Sequence, residues 1–182
     1  MESQVRLTGA IYPEENMGPR TLHGSTVIID GYHEALHDHR AFAFSKLWNA
    51  VGAGGEVSLI LTLPAVITAE VIMGINTSGA WTIKHYENPT WTNKGDRPIE
   101  AFDLNRCNPL SLANPVGWAD PTVAAANRGT KLRESLVGSG AFVGGRLEFS
   151  RMMLCGVEHY YRMVNVSGTA QYISAEGLAV IE

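Results

Sequence analysis

The most regular pattern in this chain is a period-two alternation of apolar and polar residues, which recurs from about residue 40 to the C-terminus. In the segment EVSLILTL, one parity holds the apolar residues Val57, Leu59, Leu61 and Leu63. The other parity holds Glu56, Ser58 and Thr62. Such alternation is typical of a β-strand with one buried and one solvated face. The segment AEVIMGIN repeats it, and its predicted inward face consists of Ala69, Val71, Met73 and Ile75.

Short turn sequences separate the strand candidates. Thr77-Ser78-Gly79 leads from AEVIMGIN into AWTIKHYE and predicts a β-hairpin. Ser167-Gly168-Thr169 separates VEHYYRMVNV from QYISAEGLAVI, which carries one continuous apolar face made of Ile173, Ala175, Gly177, Ala179 and Ile181. Weaker candidates are RAFAFSKLW, PIEAFDL, PTVAAA, KLRESLV and the stretch around LEFSRMML. Eight to ten short strands with almost no helix predict an all-β sandwich or barrel.

The first 25 residues or so differ from the rest of the chain. Glycine and proline are dense there, and both oppose regular structure; they are Gly9, Pro13, Gly18, Pro19 and Gly24. The same segment holds more large apolar residues than a solvated tail needs, which are Val5, Leu7, Ile11, Tyr12 and Leu22. We therefore predict an extended N-terminal arm at 1–25 that docks on another surface, followed by one β-sandwich domain at 26–182. A frayed terminus is the alternative.

The stretch NPLSLANPVGWADP contains three Asx-Pro pairs spaced six residues apart, Asn108-Pro109, Asn114-Pro115 and Asp120-Pro121. An Asx side chain mimics a turn and proline then fixes φ, so each pair favours a turn. We predict a long, stiff surface loop that carries Leu110, Leu112 and Trp118. These apolar residues either fold back onto the core or contact a partner subunit.

Composition excludes several functional classes. With 182 residues, 45% hydrophobic and 18% charged, the chain suits one globular domain. The net charge of −4 gives no basic surface for nucleic acid. No apolar run approaches the roughly 20 residues that span a bilayer, and no secretion signal is visible. Cys107 and Cys155 show no C-x-x-C pattern, and we expect them to be reduced thiols in a cytosol, although they could pair.

The stretch HEALH, residues 33–37, matches the H-E-x-x-H signature of zinc metalloproteases. That signature needs His33 and His37 one turn apart on a helix, Glu34 aimed at a metal-bound water, and a third ligand downstream. The helix is doubtful because Gly31 precedes the stretch and strand-like alternation follows it at once. The downstream position at which one zinc-protease class has its third histidine is Ala43, which cannot ligate. We therefore predict a structural role for HEALH, and no metal or cofactor.

Other motifs do not indicate an enzyme. The glycines in VGSGAFVGGRLEF fit neither the G-x-G-x-x-G pattern nor the P-loop pattern of phosphate-binding sites. They predict a flexible connection between strands. The acidic residues are scattered, so no catalytic carboxylate pair can be proposed. Two glycosylation sequons begin at Asn76 and Asn165, but they carry no meaning without a secretory signal.

Several of these segments together resemble the small head decoration, or cement, proteins of tailed double-stranded DNA phages. The similar segments are HEALHDHRAFAFSKLW, TIKHYENPTWTNKG, AFDLNRCN and VEHYYRMVNVSGTAQYISAEGLAVIE, so that the resemblance covers roughly residues 31 to 182. Its markers are the histidine-rich opening, Tyr86-Glu87-Asn88-Pro89-Thr90, Asn105-Arg106, the strand from Tyr160 to Asn165, and Ser167-Gly168. Where that family usually has glycine in its opening turn, this chain has Asp38-His39. The usual aromatic-rich final strand is altered here as well.

The resemblance implies a jelly-roll-like sandwich that binds the outside of a capsid in the virion and is assembled in the host bacterial cytoplasm. The expected partners are the major capsid protein, contacted by the arm, and further copies of the chain, contacted by the Asx-Pro loop. A homotrimer is favoured because capsids offer local threefold axes, and a dimer is the alternative. A carbohydrate-binding sandwich that stacks sugars on Trp81, Trp91 or Trp118 is the main rival interpretation; a zinc hydrolase that uses HEALH is the other.

Overall fold

The computed structural model describes residues 21–22, 25–26, 35, 37–62, 68–95, 97–99, 101–105, 117–139, 143–154 and 156–181. Its strands are β1 (Thr21–Leu22), β2 (Ser25–Thr26), β3 (Ala41–Val51), β4 (Glu56–Leu61), β5 (Ala69–Thr77), β6 (Trp81–Glu87), β7 (Arg97–Ile99), β8 (Ala101–Asp103), β9 (Gly117–Ala119), β10 (Thr130–Val137), β11 (Gly145–Leu154), β12 (His159–Asn165) and β13 (Gln171–Ile181). A 3-10 turn at Ala125–Asn127 lies between β9 and β10. Each strand pair is antiparallel.

The eight long strands pair in a nested order. β3 pairs with β13, β4 with β12, β5 with β11 and β6 with β10. The spatial orders are β11-β5-β13-β3-β8 in a five-stranded sheet and β10-β6-β12-β4-β9-β7 in a six-stranded sheet. Pairing of the first long strand with the last, and so on inward, produces the jelly-roll arrangement of two packed sheets. The predicted all-β sandwich is confirmed, and β7, β8 and β9 add to one edge of it.

The core lies between the two sheets and follows the predicted parities closely. Val71, Met73 and Ile75 of β5 are almost completely buried, and so are Ile173, Ala175 and Ala179 of β13. They pack against the inward residues of the six-stranded sheet, among them Leu59, Leu61, Trp81, Ile83, Tyr161 and Met163. Burial of these side chains at about 25 cal/mol per Å² of apolar area is the main term that stabilises the sandwich.

The hairpin predicted at Thr77-Ser78-Gly79 is wrong. β5 lies in the five-stranded sheet and β6 in the six-stranded sheet, so the turn crosses one end of the sandwich. Ser78 is held there by β13: its hydroxyl donates to Oε1 of Gln171 at 2.7 Å, and its backbone N–H donates to the carbonyl of Tyr172 at 3.1 Å. Local sequence predicted the turn correctly, but the choice of sheet depends on these long-range contacts.

Three further predictions are also corrected. PTVAAA forms no strand: Thr122 makes an isolated bridge with Asn93, and the 3-10 turn follows. PIEAFDL becomes two strands, because β7 joins the six-stranded sheet and β8 the five-stranded sheet. In β4 both faces are buried rather than one, because Ile60 on the outer face packs under Trp91 and Val123.

Much of the predicted arm lies outside the described residues, including Val5, Leu7, Ile11 and Tyr12. Leu22 belongs to β1, which pairs with β2 to form a small two-stranded sheet. Seven other residues named in the sequence analysis also lie outside the described residues: Leu110, Leu112, Leu63, His33, Glu34, Cys107 and Cys155.

Candidate binding surfaces

The outer face of the five-stranded sheet carries a row of apolar side chains. In the strand register Phe102 is opposite Ala43, Ala43 is opposite Leu178, and Leu178 is opposite Ile72. Paired residues point to the same face of a sheet, so these four form one line across β8, β3, β13 and β5. Phe102 is 56% exposed and Ile72 45% exposed, and the row lines a shallow groove of about 510 Å³.

Charged side chains border this row on one side. The Arg146 guanidinium contacts Oε1 of Glu176 at 2.7 Å and Oε1 of Glu148 at 2.9 Å. Hydrogen bonds from Asn76 and Arg146 lower the pKa of Glu176. Arg146 lies over Gly74, where a Cβ atom would come within 2.8 Å of Nη2. An apolar strip beside a polar border is the composition of a protein-binding surface.

The outer face of the six-stranded sheet carries a second, aromatic cluster. Tyr86, Tyr160 and Ile60 are buried there beneath Trp91, and the Lys94 ammonium lies 5.1 Å from the centre of the Trp91 ring. Trp118 is half-buried and lies opposite Ile60 in the register. Trp81 is completely buried in the core, so it cannot stack on a sugar. The carbohydrate interpretation therefore depends on Trp91 and Trp118 alone.

The predicted contact loop is only partly a loop. Trp118 belongs to β9, which hydrogen-bonds to both β4 and β7. Asp120 follows with a left-handed φ of 55°. Its carboxylate accepts one bifurcated bond from the N–H of Trp48, with its oxygens 3.2 and 3.1 Å from Nε1, and one bond from the backbone N–H of Ser58 at 3.1 Å. Asp120 thereby links β3 to β4 across the two sheets, beside a groove of about 590 Å³.

The end of the HEALH stretch is helical, contrary to the doubt about a helix there. Ala35 and His37 have helical backbone, and the N–H of Arg40 donates to the carbonyl of Ala35 at 2.8 Å. His39 lies between Ala35 and Arg40 in sequence and has a φ of 58°. This is the Schellman ending of a helix, in which the left-handed position is usually glycine.

A buried carboxylate accounts for a histidine at that strained position. Nδ1 of His39 lies 2.5 Å from Oδ2 of Asp103, whose side chain is completely buried. Oδ1 of Asp103 accepts from the backbone N–H of Asn105 at 2.8 Å. A non-glycine residue in the left-handed region costs roughly 1–2 kcal/mol, which the pairing with Asp103 offsets. His39 thus joins the start of β3 to the end of β8.

Within the described part of the chain, no three His, Cys, Asp or Glu side chains are grouped closely enough to hold a metal ion. Since His33 and Glu34 lie outside that part, the structural role of HEALH stays a prediction. Protein purified without chelators should contain far less than one zinc per chain by elemental analysis. Stoichiometric zinc that disappears in His33→Ala but persists in His85→Ala would contradict this prediction.

Two histidines form a buried pair inside the sandwich. Nε2 of His85 lies 3.0 Å from Nδ1 of His159. The His85 ring stacks on Tyr161 at 4.5 Å and meets Phe149 edge-on at 5.3 Å. Burial first, and then the charges of His159 and Arg133, lower the pKa of His85 from 6.5 to about 4. Burial also lowers the pKa of His159, although Glu87 opposes that effect.

Comparison of the sequence with models of known protein families and with curated proteins finds no match. Among the residues that the structure describes, no helix has the length and apolar content needed to cross a membrane. Sequence reasoning did not find the apolar row, the histidine pair or the Trp48–Asp120 contact. Of these three features, only the apolar row could have been recognised in the sequence, because Ile72 and Leu178 are apolar residues on the outward parity of their strands.

Proposed function

We propose that this protein is a structural virion component that binds the outer surface of a phage capsid and cements neighbouring capsomers. The observation that carries the proposal is the apolar row on the outer face of the five-stranded sheet, which includes Ile72, Phe102 and Leu178. The row belongs to four strands of a rigid jelly roll, so it can dock without paying for the ordering of a loop. The sequence resemblance to decoration proteins points to the same role.

The chemistry of this face suits a large protein surface. Specific protein interfaces have an apolar centre and a polar rim, and they bury about 1,200–2,000 Å² in total. Here the apolar row supplies the centre, and Arg146, Glu148 and Glu176 supply one rim. A capsid presents its major capsid protein in many symmetric copies, so modest affinity at each site gives strong attachment through avidity. The arm, whose predicted contact residues are Val5, Leu7, Ile11, Tyr12 and Leu22, would add contact area.

Replacement of Ile72 by aspartate should abolish most of this binding. A carboxylate in the middle of the row would be desolvated without a partner in the interface, which costs at least about 3 kcal/mol, or more than about 100-fold in affinity. The measurement is co-sedimentation with capsids that lack the protein, over a range of protein concentrations. Circular dichroism and thermal melting would show that the variant keeps the fold, since Ile72 is already 45% exposed.

Leu132→Asp is the matched control. Leu132 is 50% exposed on β10, outside the apolar row, so the same charge placed there should leave capsid binding within about twofold of the original. Equal binding by the original protein, Ile72→Asp and Leu132→Asp would refute this face as the contact surface. Failure of the original protein to bind capsids at all would refute the function.

A further inference from the structure

β8 contributes Phe102 to the apolar row from the end of the five-stranded sheet. This strand consists of Ala101–Asp103 and pairs with β3, where Phe102 lies opposite Ala43. Phe102 is 56% exposed, whereas its neighbour Asp103 is 1% exposed. Since side chains alternate between the two faces of a strand, a slip of β8 by one residue would exchange these environments. Phe102 would then turn toward the core, and Asp103 would turn toward the solvent.

The chain that follows β8 is bonded to the start of β3 and the residues before it. The backbone N–H of Leu104 donates to the carbonyl of Ala41 at 3.0 Å. Nδ2 of Asn105 donates to the carbonyl of His37 at 3.4 Å. The backbone N–H of Asn105 also donates to Oδ1 of Asp103, at 2.8 Å. These bonds hold the end of β8 beside the short helical turn that precedes β3.

His39 and Asp103 make a further contact at this junction, on the buried face of β8. Nδ1 of His39 lies 2.5 Å from Oδ2 of Asp103, and the two side chains are 19% and 0% exposed. A buried carboxylate is costly unless a donor or a cation lies beside it, and His39 supplies such a group in the observed register. After a slip by one residue, Phe102 or Leu104 would occupy the same place, and neither side chain can accept a bond from imidazole.

We propose that His39 is a positioning residue for capsid binding: its pairing with Asp103 fixes the register of β8 and so places Phe102 in the apolar row. This inference rests on the proposed function, in which the row is the contact surface. Phe102 is the largest side chain of the row, and large aromatic side chains are frequent anchors of interfaces. His39 keeps a left-handed φ of 58° although it is not glycine, and such strain persists where a side chain is needed.

Two substitutions of His39 separate its side-chain contact from its backbone conformation. Glycine adopts a left-handed φ without strain but supplies no donor for Asp103. Asparagine also tolerates this φ, and its amide can donate to Asp103 in place of the imidazole. In co-sedimentation with capsids, His39→Gly should bind about tenfold more weakly than the original protein, as Phe102→Ala should, and His39→Asn should bind within about twofold of it.

A double variant shows whether His39 acts through Phe102. His39→Gly/Phe102→Ala should bind no more weakly than Phe102→Ala alone, because both changes remove the same contact from the row. All binding is measured well below the melting temperature of each variant, so a loss of global stability does not lower the affinity. Losses that multiply in the double variant, or normal binding by His39→Gly, would overturn the positioning role and leave the capsid-binding surface intact.

Nuclear magnetic resonance supplies a readout that needs no capsid. Cross-strand neighbours lie close enough for proton–proton contacts, so the Phe102 ring should contact the Ala43 methyl group in the original protein and in His39→Asn. These contacts should weaken in His39→Gly. Their absence from the original protein, or their full strength in His39→Gly, would overturn the proposal. If Ile72→Asp binds capsids normally, the proposed function fails instead, and the resonance comparison still decides whether His39 fixes β8.

Discussion

Asn165→Ala is expected to destabilise the protein by about 4 kcal/mol, the largest loss that we anticipate for a single polar side chain. Asn165 is completely buried at the end of β12. Its Nδ2 donates to the carbonyls of Val51, Gly52 and Thr169 at 2.8, 3.1 and 2.8 Å. Its Oδ1 accepts from both the N–H and the hydroxyl of Ser167.

These bonds hold together the turns at one end of the sandwich. The backbone N–H and carbonyl of Asn165 also bond to Gly55 and Gly54 in the β3–β4 turn, each at 2.9 Å. Alanine would leave the partly buried carbonyls of Val51 and Gly52 without this donor and the buried N–H of Ser167 without its acceptor, and each such group costs about 1–3 kcal/mol. Thermal melting should show a fall of roughly 10 °C or more for a chain of this size. Asn165→Asp should be at least as damaging, because a buried carboxylate would face three carbonyl oxygens.

Asn76→Ala is the control for this prediction. Asn76 is also the first residue of an N-x-S sequon, but its side chain bonds to the exposed groups of Glu176 and Arg146 on the sheet surface. Its loss should cost within about 1 kcal/mol. Similar melting temperatures for the two alanine variants would show that the turns do not depend on Asn165.

The sequence predicted the inward faces of the strands well because one physical rule governs them. Side chains alternate between the faces of a strand, and one face must be buried. In β5 every apolar residue assigned to the inward parity is buried, and in β13 each is buried or partly buried. The assignment of strands to sheets follows no such local rule. The turn at Ser78 shows this, because its partner Tyr172 lies 94 residues away.

The binding surfaces were less predictable for the same reason. Ile72 and Leu178 are visible in the sequence as apolar residues on an outward parity, but their neighbours Ala43 and Phe102 become known only from the register of four strands. The helix that contains His37 ends next to His39, which pairs with Asp103, 64 residues along the chain. A five-residue pattern contains no information on such a partner.

Acidification from pH 7 to pH 5 is expected to remove about 2 kcal/mol of stability through His85, with a further loss through His159 in the same direction. The folded protein keeps His85 neutral because burial lowers its pKa to about 4, whereas the unfolded chain protonates it near 6.5. Between those values the unfolded state binds more protons, so stability is complete above the unfolded pKa and is lost as the pH falls toward 4. In addition, Nε2 of His159 is buried with no hydrogen-bond partner in the described part of the chain, so a proton there would have no acceptor.

The double variant His85→Phe/His159→Leu should remove this dependence. Phenylalanine preserves the stacking on Tyr161, and leucine fills the space of the second ring, so both polar partners are replaced together and neither is orphaned. Urea unfolding at pH 7, 6 and 5 would give the free energies directly. The original protein should lose stability across this range while the double variant stays nearly constant. His37→Gln removes an exposed histidine and should behave like the original.

Carboxylates that the folded state stabilises respond at lower pH. Hydrogen bonds from Lys84 and Lys131 lower the pKa of Glu134 to about 2, so its contribution to stability is lost only as the pH falls below about 4.5. A loss between pH 7 and 5 that is equally large in the double variant would therefore assign the acid sensitivity to groups other than the buried pair.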